Sequence, residues 1–395
     1  MSTERRGNCT ALFRRLKWAV ALAVGTGVAG AALAQDIKIG LVAAMTGQSA
    51  QSGEAIARGL TIAIDEINAK GGILGRKVVL VRRDDESSPP RGVAAARELV
   101  LGEKVAALFG GLDTPVSLAI VPIMNNAKVP FMGVWAAGTN ITKNGAEPNY
   151  VFRVSAQDDL VDVALIRYAQ REYKANKPGL VLVNNPWGES NERGLKAAAA
   201  AARIDLAGIE KVDQGDTDVT PQLTRLKNAG ADAIILVANV GAGSQVMKSR
   251  ERMGWKVPVV SHWGISGGRF DELAGPTASD ARFVQTFSFF GPQKDAGKRV
   301  LAALGEKYGV KAPADIFAPV GIANAYDGMH LLARAMERAK STDGEAIRKA
   351  LYQVEEHQGL IKTYRKPFGP NDHEALDPED YIMVRYEGGK IVPVK

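Results

Sequence analysis

A serine stands inside a glycine-rich pentapeptide whose spacing fits one class of hydrolase. Gly264, Ser266 and Gly268 match G-x-S-x-G, which in α/β-hydrolases forms a strained turn that exposes a nucleophilic serine. An acid and then a histidine must follow, and Asp327 with one of the histidines after it could supply that order. Against this, Trp263 and Gly264 separate the serine from the preceding strand, and no HGGG-like oxyanion segment occurs. We therefore favour a cleft loop over a secreted serine hydrolase.

Glycines and histidines elsewhere in the chain lack the spacing that nucleotide-binding and metal sites require. Gly241-Ala242-Gly243 lacks the third glycine of a dinucleotide fingerprint, and there is no phosphate-binding lysine loop. The four histidines stand apart, without H-x-x-x-H or paired-carboxylate spacing. The sequence therefore predicts a protein that has no cofactor and no metal site and that is not an enzyme.

Two loops have the composition of an anion site. The loop from Gly110 to Pro115 has glycines that let a ligand approach the backbone, and Pro115 suits a first helical position. Free N–H groups at the start of the following helix attract a carboxylate, and the Thr114 hydroxyl adds a donor. The second loop runs from Val134 to Asn140 and contains Thr139. The alternative is that Thr114 and Thr139 merely cap helices.

The stretch from Asp36 to Asp85 contains the elements that would position such loops. Its apolar pattern predicts a buried strand, a polar loop, an amphipathic helix ended by Gly71-Gly72, and a second strand. The same alternation of strand and helix continues along the chain, and the tail from 381 to 394 predicts a closing hairpin. This regularity predicts an α/β fold of doubly wound parallel sheets, in which ligands bind at the carboxyl ends of the strands.

The segment MTGQSAQSGEAIARGLTIAIDEINAKGGILGRKV resembles the opening of the type I periplasmic binding proteins, in the branch of the leucine/isoleucine/valine-binding proteins. The resemblance implies two lobes joined by a three-crossing hinge. We expect residues 35–153 and 288–357 in the first lobe and residues 154–287 and 358–395 in the second. It also implies a substrate-binding subunit of an ABC importer, which closes on a small solute and is recognised by an inner-membrane permease.

The same resemblance implies which residues touch the ligand. Family members hold the ligand's carboxylate through a hydroxyl residue and backbone amides, and the matching positions here are Thr114, Ala137 and Thr139. An aromatic residue of the second lobe that closes over the ligand matches Trp187, which could equally pack within the lobe. Ser52 falls where some members have tryptophan. Tyr326 matches an aromatic near the cleft, although its helical spacing also fits a core residue.

The chief departure from the family is at Trp263, where amino-acid-binding members place a glutamate that pairs with the ligand's ammonium group. A buried ammonium group without a partner is costly. Unless another acid such as Glu189 or Asp271 substitutes, we expect an aromatic or other organic acid as ligand, with an amino acid as the alternative. Trp263 and His262 could stack on or hydrogen-bond such a ligand, or His262 could be structural.

The first 34 residues have the pattern of a cleaved signal peptide. A basic segment precedes the apolar run from Trp18 to Ala31, and Ala32-Leu33-Ala34 is an A-x-A cleavage signature. The single cysteine, Cys9, lies inside this segment, so we expect no disulfide in the mature protein. Without the five basic residues and one acid of this segment, the formal net charge falls from +7 to about +3. We therefore expect a periplasmic monomer that binds no nucleic acid; a sensing subunit for a separate receptor is the alternative function.

Overall fold

The computed structural model describes residues 35–394 as two sheets of mainly parallel strands with helices packed around them. The predicted fold of two doubly wound sheets is confirmed. We call the sheet that contains Ile37 and the helices on it the first lobe, and the other large sheet and its helices the second lobe. The predicted signal peptide and Cys9 lie outside the described residues.

The first sheet has five strands in the order β2-β1-β3-β4-β5, and every neighbouring pair is parallel. Six of the seven residues of β1 are buried, as a strand covered by helices on both faces requires. The strands are β1 (Ile37–Ala43), β2 (Val78–Asp84), β3 (Ala107–Gly110), β4 (Phe131–Gly133) and β5 (Val151–Arg153).

The second sheet has seven strands in the order β14-β13-β10-β9-β8-β6-β7. Five are parallel, whereas β13 and β14 form an antiparallel hairpin on the edge of β10, so the predicted closing hairpin is confirmed. The strands are β6 (Gly179–Val183), β7 (Gly208–Val212), β8 (Ile234–Val237), β9 (Val259–Ser261), β10 (Ala281–Gln285), β13 (Ile382–Glu387) and β14 (Lys390–Pro393). A separate short hairpin pairs β11 (Glu356–Gln358) with β12 (Thr363–Arg365).

Residues 35–394 form eleven α-helices. Those of the first lobe include three from late in the chain, and they are α1 (Ala50–Ala69), α2 (Pro89–Arg97), α3 (Thr114–Ala127), α9 (Asp295–Tyr308), α10 (Pro319–Ala339) and α11 (Gly344–Leu351). Those of the second lobe are α4 (Asp158–Tyr173), α5 (Pro186–Ala202), α6 (Thr220–Asn228), α7 (Val240–Arg252) and α8 (Phe270–Ala274). Among the described residues, no helix is both long and apolar enough to span a membrane.

The chain passes between the sheets three times, after β5, after β10 and after β12. The first and third crossings lie side by side: Arg153 N–H donates to the His373 carbonyl at 2.9 Å, and Ala375 N–H donates to the Arg153 carbonyl at 2.9 Å. At the second crossing, Thr286 Oγ1 donates to Asn324 Oδ1 of α10 at 2.9 Å. The residue boundaries given above for the lobes stay predictions.

Several local predictions were wrong. The sequence pattern predicts a helix from Glu189, but helix α5 begins at Pro186, because Asn185 Oδ1 accepts hydrogen bonds from the N–H groups of Trp187 at 2.9 Å and Gly188 at 3.2 Å. Helix α4 was missed because the buried acids Asp158 and Asp162 interrupt its apolar face. Strand β7 was missed because most of its residues are only partly buried at the sheet edge.

A candidate ligand-binding cleft between the two sheets

Seven loops meet between the sheets, and each follows the carboxyl end of a parallel strand. Three come from β1, β3 and β4 of the first sheet and four from β6, β7, β8 and β9 of the second. Gly53 lets helix α1 approach the end of β1 closely, since a Cβ on Gly53 would lie 1.8 Å from the Ala44 carbonyl oxygen. Helix α1 therefore starts directly on the strand end. This is the position at which open parallel sheets bind ligands.

The loops enclose two small cavities of about 20 Å³ each. The polar cavity has Gln48, Ser49, Ser52, Gln214 and Gly267 in its walls. The tryptophan cavity has Thr114, Ala137, Asn185, Trp187 and Trp263. Both share the residues Leu112, Asp113, Trp135, Asn239 and Gly264. Each has room for about one water molecule, so an organic solute can enter only if the lobes separate.

Direct contacts between the lobes hold this closed arrangement. Ser52 Oγ, on α1, donates to the Gly267 carbonyl at 2.7 Å. Thr139 N–H donates to Ser190 Oγ of α5 at 3.2 Å. The ring centroids of Trp135 and Trp263, on opposite lobes, are 5.8 Å apart, and the ring planes are tilted by 41°. Closure therefore joins polar and aromatic groups of both lobes around the cavities.

The structure brings most of the predicted site residues together. Thr114, Ala137, Trp187 and Trp263 line the tryptophan cavity, and Ser52 lines the polar cavity. Their contact with a ligand stays a prediction.

Thr114 joins the two loops of the first lobe that were predicted to hold a carboxylate. Its Oγ1 accepts a hydrogen bond from Gly138 N–H at 3.3 Å. A Cβ on Gly138 would lie 2.4 Å from Thr114 Cγ2, so the loops touch at this point. Thr114 is the first residue of α3, whose opening turn faces the cavity.

Two donors beside the tryptophan cavity are unused. Within residues 35–394, Ala137 N–H donates to no protein acceptor, whereas its carbonyl accepts from Asp158 N–H at 2.8 Å. Thr139 Oγ1 is buried and has no hydrogen-bond partner there. Thr139 itself is not in the cavity wall; the neighbouring Ala137 is. Together, an amide and a hydroxyl can satisfy the oxygens of a carboxylate.

Trp187 is held by a carboxylate that sequence reasoning missed. Asp158 Oδ1 accepts from Trp187 Nε1 at 3.1 Å and lies 3.1 Å from His262 Nε2. Because His262 Nδ1 accepts from Trp263 N–H at 2.8 Å, Nε2 carries the proton and donates to Asp158. His262 is fully buried behind the two tryptophans, outside both cavity walls. Asp158 and His262 thus fix the orientation of Trp187.

Tyr326 is not brought to the cavities. Its hydroxyl donates to Glu66 Oε2 at 2.8 Å, and its ring packs edge-on against His330 at 4.5 Å. These partners lie on α1 and α10, and Tyr326 lines neither cavity. Its 3.6-residue spacing with core positions on α10 explains this location.

Arg153 is a positioning residue whose role no sequence pattern indicates. It is fully buried, and Nη1 donates to the carbonyls of Ala136 at 3.2 Å and Gly138 at 2.9 Å. Its guanidinium also forms a two-armed pair with Glu374, through Nε at 2.7 Å and Nη2 at 2.6 Å. Arg153 thereby connects the hinge strands to the loop that carries Ala137.

Two neighbouring acids stand at the first-lobe side of the cleft. Asp113 lines both cavities, and Asp85 lies behind it without solvent exposure. Burial raises the pKa of Asp85 to about 7, although a hydrogen bond from Ser87 N–H opposes it and the charge of Asp113 adds to it. Burial also raises the pKa of Asp113 above its usual range. The loop containing Asp113 was predicted to bind a ligand, but its acid was overlooked.

The serine of the G-x-S-x-G pattern is not built as a nucleophile. Residues Trp263–Ser266 form a short 3₁₀ helix, and Ser266 Oγ donates to the Trp263 carbonyl at 2.6 Å. The candidate acid Asp327 instead accepts from Leu360 N–H, Ile361 N–H and Tyr364 Oη. The loop thus forms part of the cleft wall. Among the described residues, no group of His, Cys, Asp and Glu could hold a metal ion.

Comparisons with known proteins agree with this geometry. A family model described as periplasmic binding protein matches residues 36–390. The Leu/Ile/Val-binding protein homolog 3 of Brucella melitensis biotype 1 is 28% identical over 379 residues, covering 96% of this chain and 98% of that protein.

Solved structures with the same fold contain two kinds of ligand. The substrate-binding protein LivJ of Streptococcus pneumoniae, in complex with isoleucine, has a TM-score of 0.77 and 24% identity, covering 90% of this chain and 98% of that one. A solute-binding protein of an ABC transporter from R. palustris, in complex with 4-hydroxybenzoate, has a TM-score of 0.75 and 22% identity, covering 91% and 96%.

The family model spans nearly all of the described chain, and the similar proteins are solute-binding proteins rather than enzymes. The chain therefore belongs to the periplasmic binding protein family and is a solute-binding protein of the type I fold.

Proposed function

We propose that this protein is the substrate-binding subunit of an ABC importer of the branched-chain amino acid type. It works in the periplasm as a monomer after removal of residues 1–34, and its closed form is recognised by an inner-membrane permease. The name of the Brucella relative and the predicted signal peptide support this assignment.

The ligand that we propose is a small solute with a carboxylate group. The observation that carries this proposal is the pair of unused donors, Ala137 N–H and Thr139 Oγ1, beside the opening turn of α3. A buried donor without an acceptor costs free energy, and a carboxylate satisfies several donors at once. The positive end of the α3 dipole adds attraction for a negative charge.

Binding proceeds by hinge closure in this proposal. The carboxylate first contacts Thr114, Ala137 and Thr139 on the first lobe. The second lobe then closes, bringing Trp187 and Trp263 over the solute. The cross-lobe contacts of Ser52 and Trp135 support this step, because they exist only when the lobes are together.

The body of the solute is not determined by the fold, since similar structures hold isoleucine in one case and 4-hydroxybenzoate in another. The first experiment is a thermal-shift screen of mature protein that has been unfolded and refolded to remove carried ligand. The panel contains branched-chain and other amino acids, benzoate-like and phenylpropenoid acids, dicarboxylates and urea-type amides. A ligand at a hundred times its dissociation constant adds about 2.7 kcal/mol to the free energy of unfolding.

The site is then tested with Thr114→Ala. Loss of the hydroxyl that joins the two loops should weaken binding of the best panel compound about tenfold, or about 1.4 kcal/mol. The matched control is Thr61→Ala, whose hydroxyl only donates to the Ala57 carbonyl within α1. Equal affinities for both variants would contradict the proposed site, and a panel without any carboxylate ligand would contradict the proposed function.

A further inference from the structure

Asp113 is the one charged side chain in the walls of both cavities, as far as residues 35–394 show. No lysine, arginine or histidine of that range lines either cavity. A carboxylate ligand alone would therefore enter a cleft that already holds a carboxyl group and offers no positive side chain to balance it. Such an arrangement favours a ligand that brings its own positive charge.

The side chain of Asp113 has an unused acceptor. Its backbone carbonyl accepts from Ser117 N–H and Ser117 Oγ, both at 3.0 Å, but its side chain caps no helical N–H group. Oδ1 has a long contact of 3.5 Å with Asn239 Nδ2 of the second lobe. Oδ2 is buried and has no hydrogen-bond partner within 3.5 Å in the described part of the chain, although the nearby Ser87 side chain acts to lower the pKa of Asp113. A buried carboxyl oxygen without a donor is a cost that a ligand can remove.

Asp85, which is buried next to Asp113, adds to the preference for a positively charged ligand. Its Oδ1 accepts from Ser87 N–H at 2.8 Å, and its Oδ2 is also buried without a partner among the described residues. Burial raises the pKa of both neighbouring acids, and a cation placed against Asp113 favours the ionised form of each. The two acids named above as possible substitutes do not take this place, because neither Glu189 nor Asp271 lines either of the two cavities.

Building on the carboxylate site proposed above, we propose that Asp113 binds a cationic nitrogen of the ligand, so that the solute is a zwitterion held at both charged ends by the first lobe. Its carboxylate lies at Ala137 and Thr139, its ammonium group lies at Asp113 Oδ2, and its body lies among Trp135, Trp187 and Trp263. Selection for the ammonium group therefore occurs before closure, on the lobe opposite Trp263.

The test compares two pairs of probes that differ only in the amine: L-leucine with 4-methylpentanoate, and L-phenylalanine with 3-phenylpropanoate. Their affinities for wild-type protein, Asp113→Asn and the exposed control Glu189→Gln are measured by titration calorimetry. We expect the wild type and Glu189→Gln to bind one of the amino acids at least a hundredfold more tightly than its partner. The Asp113→Asn variant should bind that amino acid at least tenfold more weakly than the wild type does. Its affinity for the matching acid without the amine should change no more than twofold.

The Asp113→Asn variant should fold normally, because the substitution is isosteric and relieves the repulsion with Asp85. We expect its melting temperature to equal or exceed that of the wild type. A wild type that prefers the acids without the amine, or an Asp113→Asn variant with unchanged amino-acid affinity, would overturn the inference and leave the carboxylate site intact. Binding of no probe and of no carboxylate in the thermal-shift panel would overturn both proposals.

Discussion

A methyl group added at Gly267 should interfere with closure and with little else. Gly267 has φ of −84° and ψ of 1°, which alanine adopts without strain. Its Cβ would lie 2.7 Å from Ser52 Oγ across the cleft, closer than a carbon and an oxygen normally approach. Ser52 can avoid the overlap only by rotating, which breaks its 2.7 Å hydrogen bond to the Gly267 carbonyl.

The size of the effect follows from these two possibilities. Overpacking costs about 1–3 kcal/mol, and loss of the hydrogen bond alone costs about 1 kcal/mol. Because this contact forms only between closed lobes, the cost appears in ligand affinity. We expect Gly267→Ala to bind the best panel compound about 5- to 150-fold more weakly than the wild type.

The assay is a double-mutant cycle by titration calorimetry with Ser52→Ala, Gly267→Ala and the double variant. Ser52→Ala alone should lose roughly fivefold, since only the hydrogen bond is removed. In the double variant the new methyl group meets a smaller side chain, so the loss should not exceed that of Gly267→Ala. Unchanged affinity in Gly267→Ala, or strictly additive losses in the cycle, would show that this contact does not limit closure.

Three further variants test the surroundings of the cleft. Arg153→Met leaves Glu374 buried without its partner and should lower the free energy of unfolding by about 3–5 kcal/mol in urea titrations; a loss below about 1 kcal/mol would contradict the role assigned to the pair. With a pKa of about 7 in the folded protein, Asp85 retains a proton that the unfolded chain releases near pH 4, so stability should fall by up to about 1.4 kcal/mol per unit as pH rises from about 4 to 7. Asp85→Asn should reduce this dependence of stability on pH. An equally steep pH dependence in the variant would show that another group causes it. Tyr326→Phe removes the hydroxyl bonded to Glu66 and should cost about 1 kcal/mol of stability without changing affinity; weaker binding would return Tyr326 to the ligand site.

The sequence allowed the fold to be predicted because its signals are local. The apolar spacing of α1 and the continuous apolar run of β1 each follow from residues a few positions apart. The loops after β3 and β4 were found for the same reason, since glycine and hydroxyl residues follow directly on strands. Local pattern therefore predicted where the candidate site lies, at the carboxyl ends of the strands.

Pairing between distant residues could not be predicted in this way. Whether Asp113 has a donor depends on Asn239, 126 positions later, and the role of Arg153 depends on Glu374, 221 positions later. Asp158 was hidden because it lies on a helix whose buried acids weaken the apolar pattern. Tyr326 was predicted near the cleft, although it packs between α1 and α10. Its helical spacing fits core and cleft residues equally well, so the sequence alone could not distinguish the two locations.

The interleaved order of the two lobes has a consequence for how the protein is made. The first sheet is complete at Arg153, but α10, which covers Phe109 and Met132 at Gly328, is synthesised more than 150 residues later. The second sheet needs β13 and β14, which end at Pro393. During translation each lobe therefore lacks part of its core until late, and such long-range contacts form slowly. A chain with the predicted export signal would gain from this delay, because it would remain unfolded, and able to thread through a translocation channel, for most of its synthesis.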